Sequence, residues 1–154
     1  MRHEDFNMKE HGFVGHLAEP DGGSDRAVIV IMGGEQSVLP GIKFAERFAD
    51  YGITGLAVSL FGAEGLPSAP NQIPLDMFIP AVEYLRGKKG AEHISVYSHG
   101  SHLNGLMPNR AREKKLYRMI PLIGLMYKTF GKYRKENLRY FVESEREIID
   151  WIMR

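Results

Sequence analysis

Cysteine is absent from this 154-residue chain. That excludes thiol nucleophiles, disulfide bridges and thiolate-bound zinc, and it makes a cytoplasmic location the expectation. Tryptophan occurs once. No apolar run approaches the ~20 residues that a membrane span needs. Met1-Arg-His-Glu-Asp-Phe6 lacks the apolar core of a signal peptide. There is no internal repeat, no low-complexity segment and no GxGxxG dinucleotide fingerprint.

What is present is ordinary for a soluble globular protein: 44% hydrophobic and 25% charged residues. The length suits one domain with a sizeable core, so residues 1–154 are read as a single domain. The net charge of +1 hides an asymmetry. Residues 1–102 carry 8 Lys and Arg against 13 Asp and Glu, net −5, whereas residues 103–154 carry 12 against 6, net +6. A basic tail suits an anionic ligand such as a CoA phosphate, or nucleic acid, or it is a pair of helices whose charges face water. The last reading is preferred, and neither nucleic acid nor a membrane is assigned as a partner.

Hydrophobic periodicity organises the first two thirds. Gly12-Phe-Val-Gly-His-Leu-Ala18 reads as an edge strand with His16 facing out of it, closed by the turn Glu19-Pro-Asp-Gly-Gly-Ser24. Ala27 to Met32 is continuously apolar and β-branched, as in a strand buried on both faces of a parallel sheet. Residues 40–51 predict a helix with Ile42, Ala45, Phe48 and Ala49 on one face, ended by Gly52. Ile53 to Leu60 is the next strand. Phe61 to Pro74 is an irregular loop, Leu75 to Lys88 a helix with Phe78, Val82 and Leu85 inward, and His93 to Tyr97 a third buried strand. No strand is expected after Tyr97. Residues 134–153 predict a long amphipathic helix with Leu138, Phe141, Val142, Ile148, Ile149 and Ile152 inward, and Trp151 and the Met119–Met126 run are read as core. Strands alternating with amphipathic helices imply right-handed crossovers, hence an α/β fold: a short, mostly parallel sheet of about four strands with helices on both faces and a helical C-terminus.

Two segments can carry chemistry. Gly33-Gly34-Glu35-Gln36 follows a buried strand and precedes a helix. Glycines there expose backbone amides, which suit an oxyanion hole at Gly34 and Glu35, a phosphate cradle, or a tight turn that binds nothing. The second segment is Ser98-His-Gly-Ser-His102, directly after Tyr97. Ser98 and Ser101 are candidate nucleophiles and His102 the candidate base, with Asp76 or Glu64 as a substitute acid. On an extended segment, adjacent residues point to opposite sides, which disfavours Ser101 with His102 and leaves Ser98 with His102 across a tight turn. His99 and His102 are spaced too closely for the i, i+4 helical zinc pattern, and no third ligand accompanies them. No metal or cofactor is implied.

Residues 12–97 resemble the C-terminal family of acyl-CoA thioester hydrolases and bile acid-CoA:amino acid N-acyltransferases, a branch of the α/β hydrolases. The resemblance is carried by Gly12-Phe-Val-Gly-His-Leu-Ala-Glu-Pro20, Val28-Ile-Val-Ile-Met-Gly-Gly-Glu-Gln36, Phe44-Ala-Glu-Arg-Phe-Ala-Asp-Tyr-Gly-Ile53, Ile73-Pro-Leu-Asp-Met-Phe78 and Glu92-His-Ile-Ser-Val-Tyr97, in that order. It implies a reduced α/β-hydrolase-like three-layer fold, an acyl ester or acyl-CoA-like ligand, and serine-dependent acyl hydrolysis or transfer. It also implies a G-x-S-x-G nucleophile elbow right after Tyr97. In strict register the nucleophile position falls on Gly100, which has no side chain to attack with. In a second register, Val96 to Leu103 resembles the loop that carries the triad histidine, with His102 as base and the elbow region missing. The second is preferred. Both weaken the case for turnover, so two further readings stand beside the enzyme. One is an inactive hydrolase remnant that binds a ligand or dimerises through an open sheet edge. The other is a flavodoxin-like module holding phosphate at the Gly33-Gly34 turn.

Overall fold

The computed structural model describes residues 1–32, 38–69, 73, 75–99 and 145–154. The chain divides into two compact units, Met1–Leu103 and Asn104–Arg154. The first contains strands β1 (Arg2–Phe6), β2 (Val14–Glu19), β3 (Arg26–Met32), β4 (Thr54–Ser59) and β5 (His93–His99). Its helices are α1 (Met8–His11), α2 (Leu39–Asp50) and α3 (Ile79–Lys89), the last entered through a 3₁₀ turn at Leu75–Phe78. In the second unit residues 145–153 are helical, with Ile148 and Ile152 buried.

The five strands form one mixed sheet in the order β1-β2-β4-β3-β5. β3 pairs in parallel with β4 on one side and with β5 on the other, while β1 with β2 and β2 with β4 are antiparallel. The apolar run of β3 is buried throughout because strands flank it and helices cover it. The chain leaves β3 for β4 and then crosses back over β3 to reach β5. Right-handed crossovers in opposite directions must put their helices on opposite faces. On one face, Ala81 and Leu85 of α3 pack with Leu17, Ile29, Ile31, Leu56 and Val58. On the other, α2 lies so close that a Cβ at Gly55 would stand 2.5 Å from Ala45 Cα. Helices on both faces, as expected, follow from this arrangement.

Three expectations are corrected. The sheet is not mostly parallel: two of its four pairings are antiparallel. The chain from β1 to β2 is too short for a parallel crossover, which takes a dozen or more residues. The Gly12–Ala18 segment is not an edge, because β1 pairs outside it. β5 does not stop at Tyr97 but continues in register to His99, opposite Met32, which satisfies backbone groups a loop would have to satisfy otherwise.

β1 is held by polar and aromatic contacts more than by apolar burial. Phe6 stacks on Phe13 at 4.7 Å and meets Tyr84 edge-on at 4.7 Å. Beside it, Lys89 Nζ lies 3.2 Å from Glu4 Oε2 and 3.1 Å from Glu19 Oε2, and the Tyr84 hydroxyl donates to Glu4 Oε2 at 2.7 Å. Arg2 Nη2 also reaches Glu19, at 3.2 Å. Burial alone would raise the Glu4 carboxyl, but the Tyr84 hydroxyl and the Lys89 ammonium hold it below the usual value. Burial alone would lower Lys89, but the Glu19 and Glu4 carboxylates hold it above the usual lysine value. Burial and the bond to Glu4 push the Tyr84 phenol up.

Gly55→Val is expected to cost about 3 kcal/mol in urea unfolding, because the added atoms meet helix backbone rather than a movable side chain. A cost below about 1 kcal/mol would show that α2 lifts off the sheet easily. Lys89→Met is expected to cost about 2 kcal/mol at neutral pH, leaving the buried Glu19 with Arg2 alone. The Glu4 contribution is complete above its unfolded pKa and is lost as pH falls through the lowered folded value. The Lys89 contribution is complete below its unfolded pKa and is lost as pH rises through the raised folded value. The gap between wild type and variant should therefore be widest between these limits and close at both ends in a pH series of unfolding curves.

Candidate functional site

In open α/β sheets the ligand crevice lies outside the carboxyl ends of the strands, where successive crossovers part in opposite directions. Here that point falls between β3 and β5. Both end on the same side of the sheet, with Met32 opposite His99. Of the two segments singled out in the sequence, Gly33-Gly34-Glu35-Gln36 follows immediately from the end of β3, and Ser98–His102 begins within β5 and continues past its end. α2 begins close by at Leu39, with proline in its first turn, where a missing N–H costs nothing.

Among the candidate residues, Ser98 is described in full. It is the penultimate residue of β5, 7% exposed, and in register with Ile31 of the α3-side core. Its hydroxyl is buried and has no hydrogen-bond partner among the described residues. A buried hydroxyl without a partner costs about 1–3 kcal/mol. Ser98 was expected to open a loop, where a nucleophile would stand clear of the sheet. It instead sits in the ladder, because the pairing with β3 extends past it. Gly34, Glu35, Ser101 and His102 lie outside the described residues, as does the His99 side chain. The two carboxylates considered as substitute acids, Glu64 and Asp76, are both exposed.

The residue before this end of the sheet is itself anchored. Tyr97 faces α2, with Phe44 stacked at 5.2 Å and Phe48 edge-on at 5.7 Å. Alternation along β5 therefore sends Tyr97 under α2 and Ser98 toward α3. That orientation rests on aromatic packing and not on Ser98 itself.

A second polar constellation lies on the α2 face at the β1–β2 pair. His16 Nδ1 stands 2.6 Å from Asp5 Oδ1, and His16 Nε2 stands 3.1 Å from His3 Nδ1. His16 was expected to face outward, yet it is 9% exposed, because β1 adds a strand beyond β2 and places Asp5 directly opposite it. The signal for this becomes readable only once Arg2–Phe6 is known to be a strand. Alternation in Arg2-His-Glu-Asp-Phe6 puts His3 and Asp5 on one face and Glu4 and Phe6 on the other. Among the described residues, no group of three or more His, Asp or Glu side chains is arranged to hold a metal ion, and no helix is long and apolar enough to cross a membrane.

Replacing Ser98 by alanine removes a buried polar atom that no described residue satisfies while keeping the packing nearly intact. The variant is expected to be more stable than wild type by about 1 kcal/mol in denaturant unfolding. A loss of more than 1 kcal/mol would mean that the hydroxyl has a partner in the folded protein. No known protein-family model and no curated protein matches this chain.

Proposed function

We propose that this protein is α/β-hydrolase-like and binds an acyl ester or acyl-CoA-like thioester in the crevice outside the carboxyl ends of β3 and β5. The observation that carries the reading is the buried Ser98 hydroxyl, without a partner among the described residues, beside the end of β3, where the chain continues into Gly33-Gly34. A hydroxyl in that position can donate to a ligand carbonyl, and glycine amides can do the same for a developing oxyanion. An apolar ligand is favoured by Leu39, the first residue of α2, which follows the end of β3 and is 68% exposed. Exposed large side chains at the rim of a crevice suit a hydrocarbon chain.

Acyl transfer in this crevice needs a nucleophile that stands clear of the ladder. Ser98 is poorly placed for that role, which leaves Ser101, whose neighbour His102 is disfavoured as its base on an extended segment. Ligand binding and turnover are therefore separable. The retained binding function of a hydrolase-derived fold accounts for Ser98 without requiring an intact triad.

The test combines a fluorophosphonate probe with a thermal shift by a short-chain acyl-CoA, on wild type, Ser98→Ala and Ser101→Ala. Acyl-CoA should stabilise wild type, by about 2.7 kcal/mol at a hundredfold excess over Kd. It should bind Ser98→Ala about tenfold more weakly, as expected for one lost hydrogen bond in a buried site. An adduct on Ser101, absent from Ser101→Ala, would add acyl transfer to the binding function. Absence of both stabilisation and adduct on folded protein would overturn the proposal.

A further inference from the structure

The Asp5–His16–His3 constellation belongs to no part of the crevice. It sits in mid-strand, since His16 pairs with Ala57 and Ala57 with Val30. Asp5 is acceptor-only when ionised, so the 2.6 Å contact assigns a proton to His16 Nδ1, and in the neutral ring that tautomer has its lone pair on Nε2. That is the tautomer found in metal-bound histidines, whose second nitrogen typically donates to a carboxylate. The lone pair points at His3 Nδ1, 3.1 Å away. Two imidazole nitrogens at that separation, each ~2.0–2.1 Å from a shared cation, would subtend about 98° at it. This lies between the ~90° of a square-planar pair and the ~109° of a tetrahedral one. The ring centroids are 5.3 Å apart, so the nitrogens face each other head-on, as an N–H···N bond requires. A shared cation would lie off that line, so its binding needs the two rings to swing by about 41° each, which the exposed His3 side chain and the exposed Asp5 carboxylate permit, and needs His3 to carry its proton on Nε2.

We propose that His3 and His16 form a two-imidazole site for a borderline divalent cation such as Zn²⁺, with Asp5 fixing the His16 ring and water completing the coordination on the exposed His3 side. Imidazole is a favoured ligand for such cations. A cation there would clamp β1 to β2. That matters because Phe6 is the one apolar residue of β1 and the strand has few other core contacts.

The experiment is a Zn²⁺ titration of the full chain near neutral pH, read by the side-chain nitrogen resonances of the histidines and by thermal unfolding. Wild type should bind one equivalent, shift His3 Nδ1 and His16 Nε2, and gain thermal stability. His3→Ala, which alters an exposed side chain, should lose the effect. Asp5→Asn should bind about tenfold more weakly, the usual size of a loss behind a metal-bound histidine. His93→Ala, on β5, should behave as wild type. If Zn²⁺ moves neither nitrogen, or stabilises His3→Ala as much as wild type, the pair is a hydrogen bond only and the proposal fails.

Discussion

The burial of β3 is the constraint on which this fold depends. Its run Ala27 to Ile31 is apolar on both faces, so each face must be covered and each edge paired. The chain meets that demand by placing β4 and β5 on either side in parallel and laying α2 and α3 on opposite faces. The rest follows from this. The ends of β3 and β5 come together at one point, Met32 opposite His99, although sixty-seven positions of sequence separate them. The close seat of α2 on Gly55 belongs to the same constraint, since a larger residue there would uncover the second face of β3 and β4.

The antiparallel side of the sheet obeys different physics. β1 brings little hydrophobic area, and polar groups satisfied on both faces hold it to β2. One face has Lys89 between Glu4 and Glu19, with Tyr84 and Arg2 at the margins. The other has the Asp5–His16–His3 chain. Such networks contribute through pairing more than through raw attraction, because an abandoned buried charge costs more than the pair gains. The sheet thus has a hydrophobic side that sets topology and a polar side whose strength varies with protonation, with the candidate crevice in the first.

Much of the parallel half was legible in the sequence. The apolar, β-branched run at Ala27 to Met32 and the largely apolar segment Ile53 to Leu60 mark buried strands, and the apolar face of residues 40–51 marks α2, because burial leaves a pattern in the residues themselves. β1 was not legible. Arg2-His-Glu-Asp-Phe6 has one apolar residue, and its partners Tyr84 and Lys89 lie some eighty positions away. The end of β5 was misread for a similar reason. Ser98 and His99 resemble loop residues, but Ile31 and Met32 offer them a ladder to join.

The sequence by itself determined the α/β class, the placement of the inner strands and α2, and the positions of the two glycine- and serine-bearing segments. These depend on local periodicity and on the conformational freedom of glycine. Only the tertiary structure decided that the sheet is mixed, that His16 is buried against Asp5, and that Ser98 lies inside the ladder with its hydroxyl unpaired among the described residues. Each of these depends on which distant strand arrives as a neighbour. A residue carries its own preference for strand or loop, but its burial and its hydrogen-bond partner are supplied by the rest of the chain.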